Sequence, residues 1–163
     1  MKNGIVFLLL SAFLLPAIQI RAQDKKPPPV EEKKLTIQGD QDWMNTGIKL
    51  RPKDLVIIKA TGSVCFSGEA SAACVDPDGW DVKTYEDDWG DDYGYCFDPL
   101  KEANHAALIG NVGNDDFFIG KETKFKGKDG FLYIGINDCT LKDNPFFNSG
   151  EFNIHIRVER NKK

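Results

Sequence analysis

The residues best suited to chemistry sit where an apolar run gives out. Gly130-Phe131-Leu132-Tyr133-Ile134-Gly135-Ile136 is followed at once by Asn137 and Asp138, then by a polar loop from Cys139 to Asn148, and then by Ser149-Gly150. β-branched and aromatic residues in a short apolar run predict a buried strand. Its end therefore carries an amide and a carboxylate, and a second strand predicted from Glu151 begins just beyond Asn148. Oxygen donors gathered at the shared end of two strands suit a hard cation, and calcium takes six to eight such oxygens from carboxylates, amides and carbonyls. The competing reading is that Asp138 and Asn148 only cap turns, as Asp and Asn often do.

The elements that must position these residues are strands. Leu55 to Phe66 alternates, with Val56, Ile58, Ala60, Gly62, Val64 and Phe66 on one parity and Lys59, Thr61 and Ser63 on the other. Phe152, Ile154, Ile156 and Val158 alternate with Asn153, His155 and Arg157 in the same way. Such a period of two puts one face of each strand on a core. Further strands are predicted at Leu35 to Gln38, Thr46 to Leu50, Ala106 to Gly110, Phe117 to Gly120 and Lys124 to Lys126. No window sustains a helical period, so the expected fold is all-β, a two-sheet β-sandwich of jelly-roll type with about eight strands. Residues 67 to 104 hold little periodicity and many turn formers.

The start of the chain has a different composition. Lys2, the apolar run Ile5 to Leu15 and the small residue Ala22 match a secretory signal peptide over residues 1–22. The run is too short and too soon interrupted for a membrane span. Residues 23–34 are charged and proline-rich, an expected extended tether, and residues 35–163 form the expected domain. Without Lys2 and Arg21, 19 basic residues face 25 acidic ones, a net charge of −6. That balance repels a phosphate backbone and argues against nucleic acid as a partner. Export also frames the four cysteines, Cys65, Cys74, Cys96 and Cys139, as two disulfides with three possible connectivities. No C-x-x-C pair exists and His105 and His155 are the only histidines, which disfavours a sulfur-bound zinc.

Taken in order, Trp43, Thr46-Gly47-Ile48, Asp54-Leu55-Val56-Ile57, Ala60-Thr61-Gly62, Pro77-Asp78-Gly79, Ala107-Leu108-Ile109-Gly110-Asn111-Val112-Gly113, Phe118-Ile119-Gly120, Gly130 to Asp138 and Asn148-Ser149-Gly150 resemble the PA-IL-like family of calcium-dependent, galactose-binding bacterial lectins. The resemblance spans roughly Trp43 to Val158. It implies a small β-sandwich that holds one Ca2+ at one end, where the ion also accepts two hydroxyls of a glycan. By motif, the implied metal ligands are the backbone carbonyl of Phe66, the carboxylate of Asp138 and the side chain of Asn148, with a loop carbonyl near Lys142 or Asp143. Phe147 stands where the family has a first asparagine, and the loop is longer. The site is thus either rebuilt around Asp143 and Asn144 or degenerate, which would leave a structural or protein-binding sandwich.

The family's sugar-contacting loop corresponds to Trp80 to Pro99, where aromatic residues interleave with acids. Rings pack on the apolar face of a pyranose while acids accept its hydroxyls. Trp80, Trp89 and Tyr93, with Asp138 and Asn148, are accordingly the expected sugar-binding residues. A second calcium site or a solvated acidic loop are the other readings of this stretch. The resemblance also places Cys65 and Cys139 beside the calcium loop, implying a Cys65–Cys139 bridge, with Cys74–Cys96 stapling the long insertion. His105 and His155 have no visible nucleophile to serve, and no Ser-His-Asp arrangement can be assembled. Acids on one small loop make a poor catalytic scaffold, so no enzyme is expected.

Overall fold

The computed structural model describes residues 29–66, 73–80, 98–138 and 148–161. Nine strands follow one another: β1 (Val30–Gln38), β2 (Met44–Leu50), β3 (Leu55–Phe66), β4 (Ala73–Val75), β5 (Leu108–Val112), β6 (Asp115–Phe118), β7 (Glu122–Lys126), β8 (Gly130–Ile136) and β9 (Ser149–Glu159). Among the described residues there is no helix, and hence none long and apolar enough to cross a membrane. One sheet runs β1-β9-β3-β4, with β7 also on β3, and the other runs β2-β8-β5-β6. All pairings are antiparallel, so the chain is a two-sheet β-sandwich.

The alternation in β3 and β9 does what a period of two requires. Val56, Ile58, Ala60 and Val64 from β3 and Phe152, Ile154, Ile156 and Val158 from β9 are buried. They share one core with Ile48 and Leu50 from β2 and Leu132 and Ile134 from β8. Fully burying such side chains is worth about 1.5–3 kcal/mol each, so strand register is set by the core. In register, β3 runs against β9 from Leu55↔Glu159 to Cys65↔Ser149. The end of β3 and the start of β9 therefore lie side by side.

Two expectations change. The first strand starts at Val30, not Leu35: Val30 to Lys34, expected in the tether, pair with Glu159 to His155 of β9. An edge strand is held by its backbone ladder and tolerates charged side chains, so the composition Val-Glu-Glu-Lys-Lys does not prevent pairing. The second change concerns the disulfides. Cys65 is bonded to Cys74, not to Cys139, and Cys74 is therefore not bonded to Cys96. The short β4 pairs with the end of β3 and sets Cys65 directly opposite Cys74. Cys96 and Cys139 lie outside the described residues.

Candidate functional site

The end of β8 is organised by Asn137, which is fully buried. Its amide oxygen accepts from the N–H of Leu100 (2.9 Å), and its Nδ2 lies within donating distance of the carbonyls of Leu100 (3.1 Å), Ala103 (3.2 Å) and Asn104 (3.0 Å). Its backbone N–H donates to Ala107 and its carbonyl accepts from Ala106. A buried amide that saturates its donors and acceptors in this way fixes an irregular segment as firmly as a ladder would. Residues 100–107 are thereby pinned across the end of β8. Asn137 is spent on this task, so it does not supply the cation oxygen expected of it.

The pinned segment carries His105. Its backbone exchanges two hydrogen bonds with Trp80, Trp80 N–H to His105 carbonyl at 2.8 Å and His105 N–H to Trp80 carbonyl at 3.0 Å. Gly79 makes this approach possible. It has φ +76°, and a Cβ there would come within 2.6 Å of the His105 carbonyl oxygen and 2.7 Å of the Ala107 nitrogen. Ala106 next to the histidine is itself at φ 54°, a left-handed conformation costly for a non-glycine residue and tolerated where surrounding contacts enforce it.

His105 and Asp138 then face one another. The imidazole is 7% exposed, and its Nδ1 lies 3.0 Å from Asp98 Oδ1 and 3.3 Å from Oδ2. Its Nε2 lies 3.9 Å from Asp138 Oδ1, beyond hydrogen-bond reach. Burial works against the imidazolium, but the hydrogen bond to Asp98 and the charges of Asp98 and Asp138 outweigh it and raise the His105 pKa. One ligand atom from each of Asp98, His105 and Asp138 falls within 4.8 Å of the others, a candidate metal-binding triad.

The other carboxylate oxygen of Asp138 faces Asn148, whose Nδ2 donates to Oδ2 at 2.5 Å. Asn148 is buried just before β9. Gly150, at φ +81°, lets the β9 backbone approach β3 so closely that a Cβ would sit 2.3 Å from the Ser63 carbonyl oxygen. The β3–β9 ladder ends at Cys65↔Ser149, so the last residue of β3, Phe66, and Asn148 lie just beyond the same end of the pair. An amide rotated by half a turn presents Oδ1 in place of Nδ2, so Asn148 can either donate to Asp138 or join it as an oxygen ligand. A carboxylate and an amide converging at a strand end fit a hard cation.

Of the residues expected from the sequence, Asp138, Asn148 and Phe66 come to one end of the sandwich. Trp80 comes there too, its backbone bound to His105 and its half-buried ring packed partly on the core. Asp143, Asn144, Trp89 and Tyr93 lie outside the described residues. His105 and Asp98 were missed as site residues. The available signal was position: Asn104-His105 directly precedes the buried run Ala106 to Ile109. His155 lies, as expected, on the outer face of β9 at 40% exposure.

No family model matches the sequence, and no curated protein matches it. Among solved structures, the chain is similar to the N-terminal domain of EclA, titled a PllA-like lectin, at 20% identity and a TM-score of 0.55. That likeness covers 77% of this chain and 95% of the other. At this identity it establishes the fold, a β-sandwich, without singling out the PA-IL-like family.

Proposed function

We propose that the chain is an exported carbohydrate-binding module of the PA-IL-like kind, holding a calcium ion between the end of β8 and the start of β9. The observation that carries the reading is the meeting of Asp138 and Asn148 at 2.5 Å where strands of the two sheets end together. The likeness to a lectin domain supports it. Asp138 and Asn148 would hold the ion, with the Phe66 carbonyl and the loop residues Asp143 and Asn144 completing the oxygen set. A bound calcium supplies open coordination positions to a vicinal diol, which a galactose-type sugar offers.

The chain's own residues do the rest. With its side chain 9% exposed, Asp138 is largely shielded from competing water, and Asn137 holds the segment that carries His105 beside it. Trp80, with Trp89 and Tyr93, would stack on the apolar face of the sugar ring. A glycan array run with calcium and again with chelator tests the reading. Retention of galactose-terminated glycans only with calcium, lost in Asp138→Asn, is the expected result. Retention indifferent to chelator, or none at all, would return the chain to a purely structural or protein-binding sandwich.

A further inference from the structure

We infer that Asp98, His105 and Asp138 form a second cation centre, built for a divalent ion that accepts nitrogen, of which Zn2+ is the natural representative. The inference does not rest on the calcium reading, because it uses the other oxygen of Asp138 and stands if Asn148 binds nothing. Calcium is an oxygen-seeking ion. An imidazole among carboxylates suits zinc, and cobalt or nickel in its place.

Geometry supports three ligands on one ion. Two ligands at ~2.0–2.2 Å from a tetrahedral metal are ~3.3–3.6 Å apart. With one atom taken from each residue, and so one imidazole nitrogen, no pair in the triad exceeds 4.8 Å, and closure takes at most ~1.5 Å of side-chain movement. The three side chains are shielded from water, at 19%, 7% and 9% exposure for Asp98, His105 and Asp138. Two carboxylates drawn this far out of water require compensating charge. A dication on a neutral imidazole supplies two positive charges.

The frame is also fixed in advance. Asn137 pins the segment, the Trp80–His105 bridge holds the histidine's backbone, and Gly79 closes the approach. A metal site needs its ligands held by such supporting contacts rather than by mobile loops. Asp138, with Oδ2 toward Asn148 and Oδ1 toward His105, can serve both centres as a bridging carboxylate.

The test is a titration of the chelator-stripped protein with Co2+ in saturating calcium, read as visible absorption, followed by displacement with Zn2+. Cobalt bands that grow to one equivalent, vanish with zinc and are absent in His105→Gln are expected. Asp98→Asn is expected to weaken cobalt binding at least ~10-fold, since losing a ligand costs no less than losing a supporting contact. His155→Gln, which alters the other histidine, should change nothing. Absence of bands in the wild type, bands that survive His105→Gln, or bands lost in His155→Gln would overturn the inference. If His105→Gln does not fold, the wild-type, Asp98→Asn and His155→Gln titrations decide. Calcium-dependent glycan retention is read separately and should persist in Asp98→Asn, so failure of one centre is distinguishable from failure of the other.

Discussion

The two ends of the sandwich each bury an aspartate, and they treat it differently. At one end Asp54, 1% exposed, accepts from the N–H groups of Arg51 and Asn161, both at 3.0 Å, and from Arg160 at 2.7 Å. Arg160 also pairs with Glu31 and donates to the Lys49 carbonyl, so one guanidinium ties β1, β2, β3 and β9 together. At the other end Asp138 faces a carboxamide and, at 3.9 Å, an imidazole. Asp54 is a carboxylate whose charge the fold has answered with a permanently charged partner. Among the described residues, Asp138 meets an amide and an imidazole, groups that can themselves ligate, which suits the proposed cation site.

Breaking the answered end should cost most. Asp54→Ala takes one of two carboxylates from Arg160 and leaves two backbone N–H groups without their acceptor, and a loss of about 3 kcal/mol in urea unfolding is expected. Calcium and glycan binding at the far end should be untouched. Replacing both Cys65 and Cys74 by serine removes a cross-link spanning nine positions. The expected loss is about 2–3 kcal/mol by the chain-entropy relation, again in urea, with folding retained because β3 is still paired along its length with β9.

Asp138→Asn should do the reverse of Asp54→Ala. The amide can still accept from Asn148 and removes a buried charge, so metal-free stability should change by less than about 1 kcal/mol or rise. A loss as large as that of Asp54→Ala would erase the distinction between the two ends.

The smallest expected effect is in acid. Burial raises the Asp54 pKa, but hydrogen bonds from Asn161, Arg160 and Arg51 and the charge of Arg160 outweigh it, so the folded value lies below 3.8. The unfolded chain then binds more protons, and this contribution is complete above the ordinary carboxylate range. It drains away as pH falls from about 3.8 through the lower folded value. Asp54→Asn should flatten that limb of a stability–pH curve and leave the plateau above pH 5 parallel to wild type.

The sandwich and one half of the site were legible in the residues. Period-two patterning in β3 and β9 is an instruction to bury one face, and Asp138 and Asn148 lie at predicted strand ends that must meet once those strands share a core. What escaped notice depends on backbone pairing at a distance. His105 acquires its place through Trp80, 25 positions earlier, and through the amide of Asn137, neither of which leaves a local pattern. The Cys65–Cys74 bridge needs β4, three residues in a stretch without period. Val30 to Lys34 join the sheet through main-chain bonds that their charged side chains conceal.

Thermal unfolding of the chelator-stripped protein against calcium concentration tests the difference between the two ends most directly. Stabilisation growing with ligand, about 2.7 kcal/mol at a hundred times the dissociation constant, is expected for the wild type and for a folded Asp54→Asn, and none for Asp138→Asn. A wild-type melting temperature that calcium leaves unmoved, or an Asp138→Asn protein that responds like wild type, would contradict it.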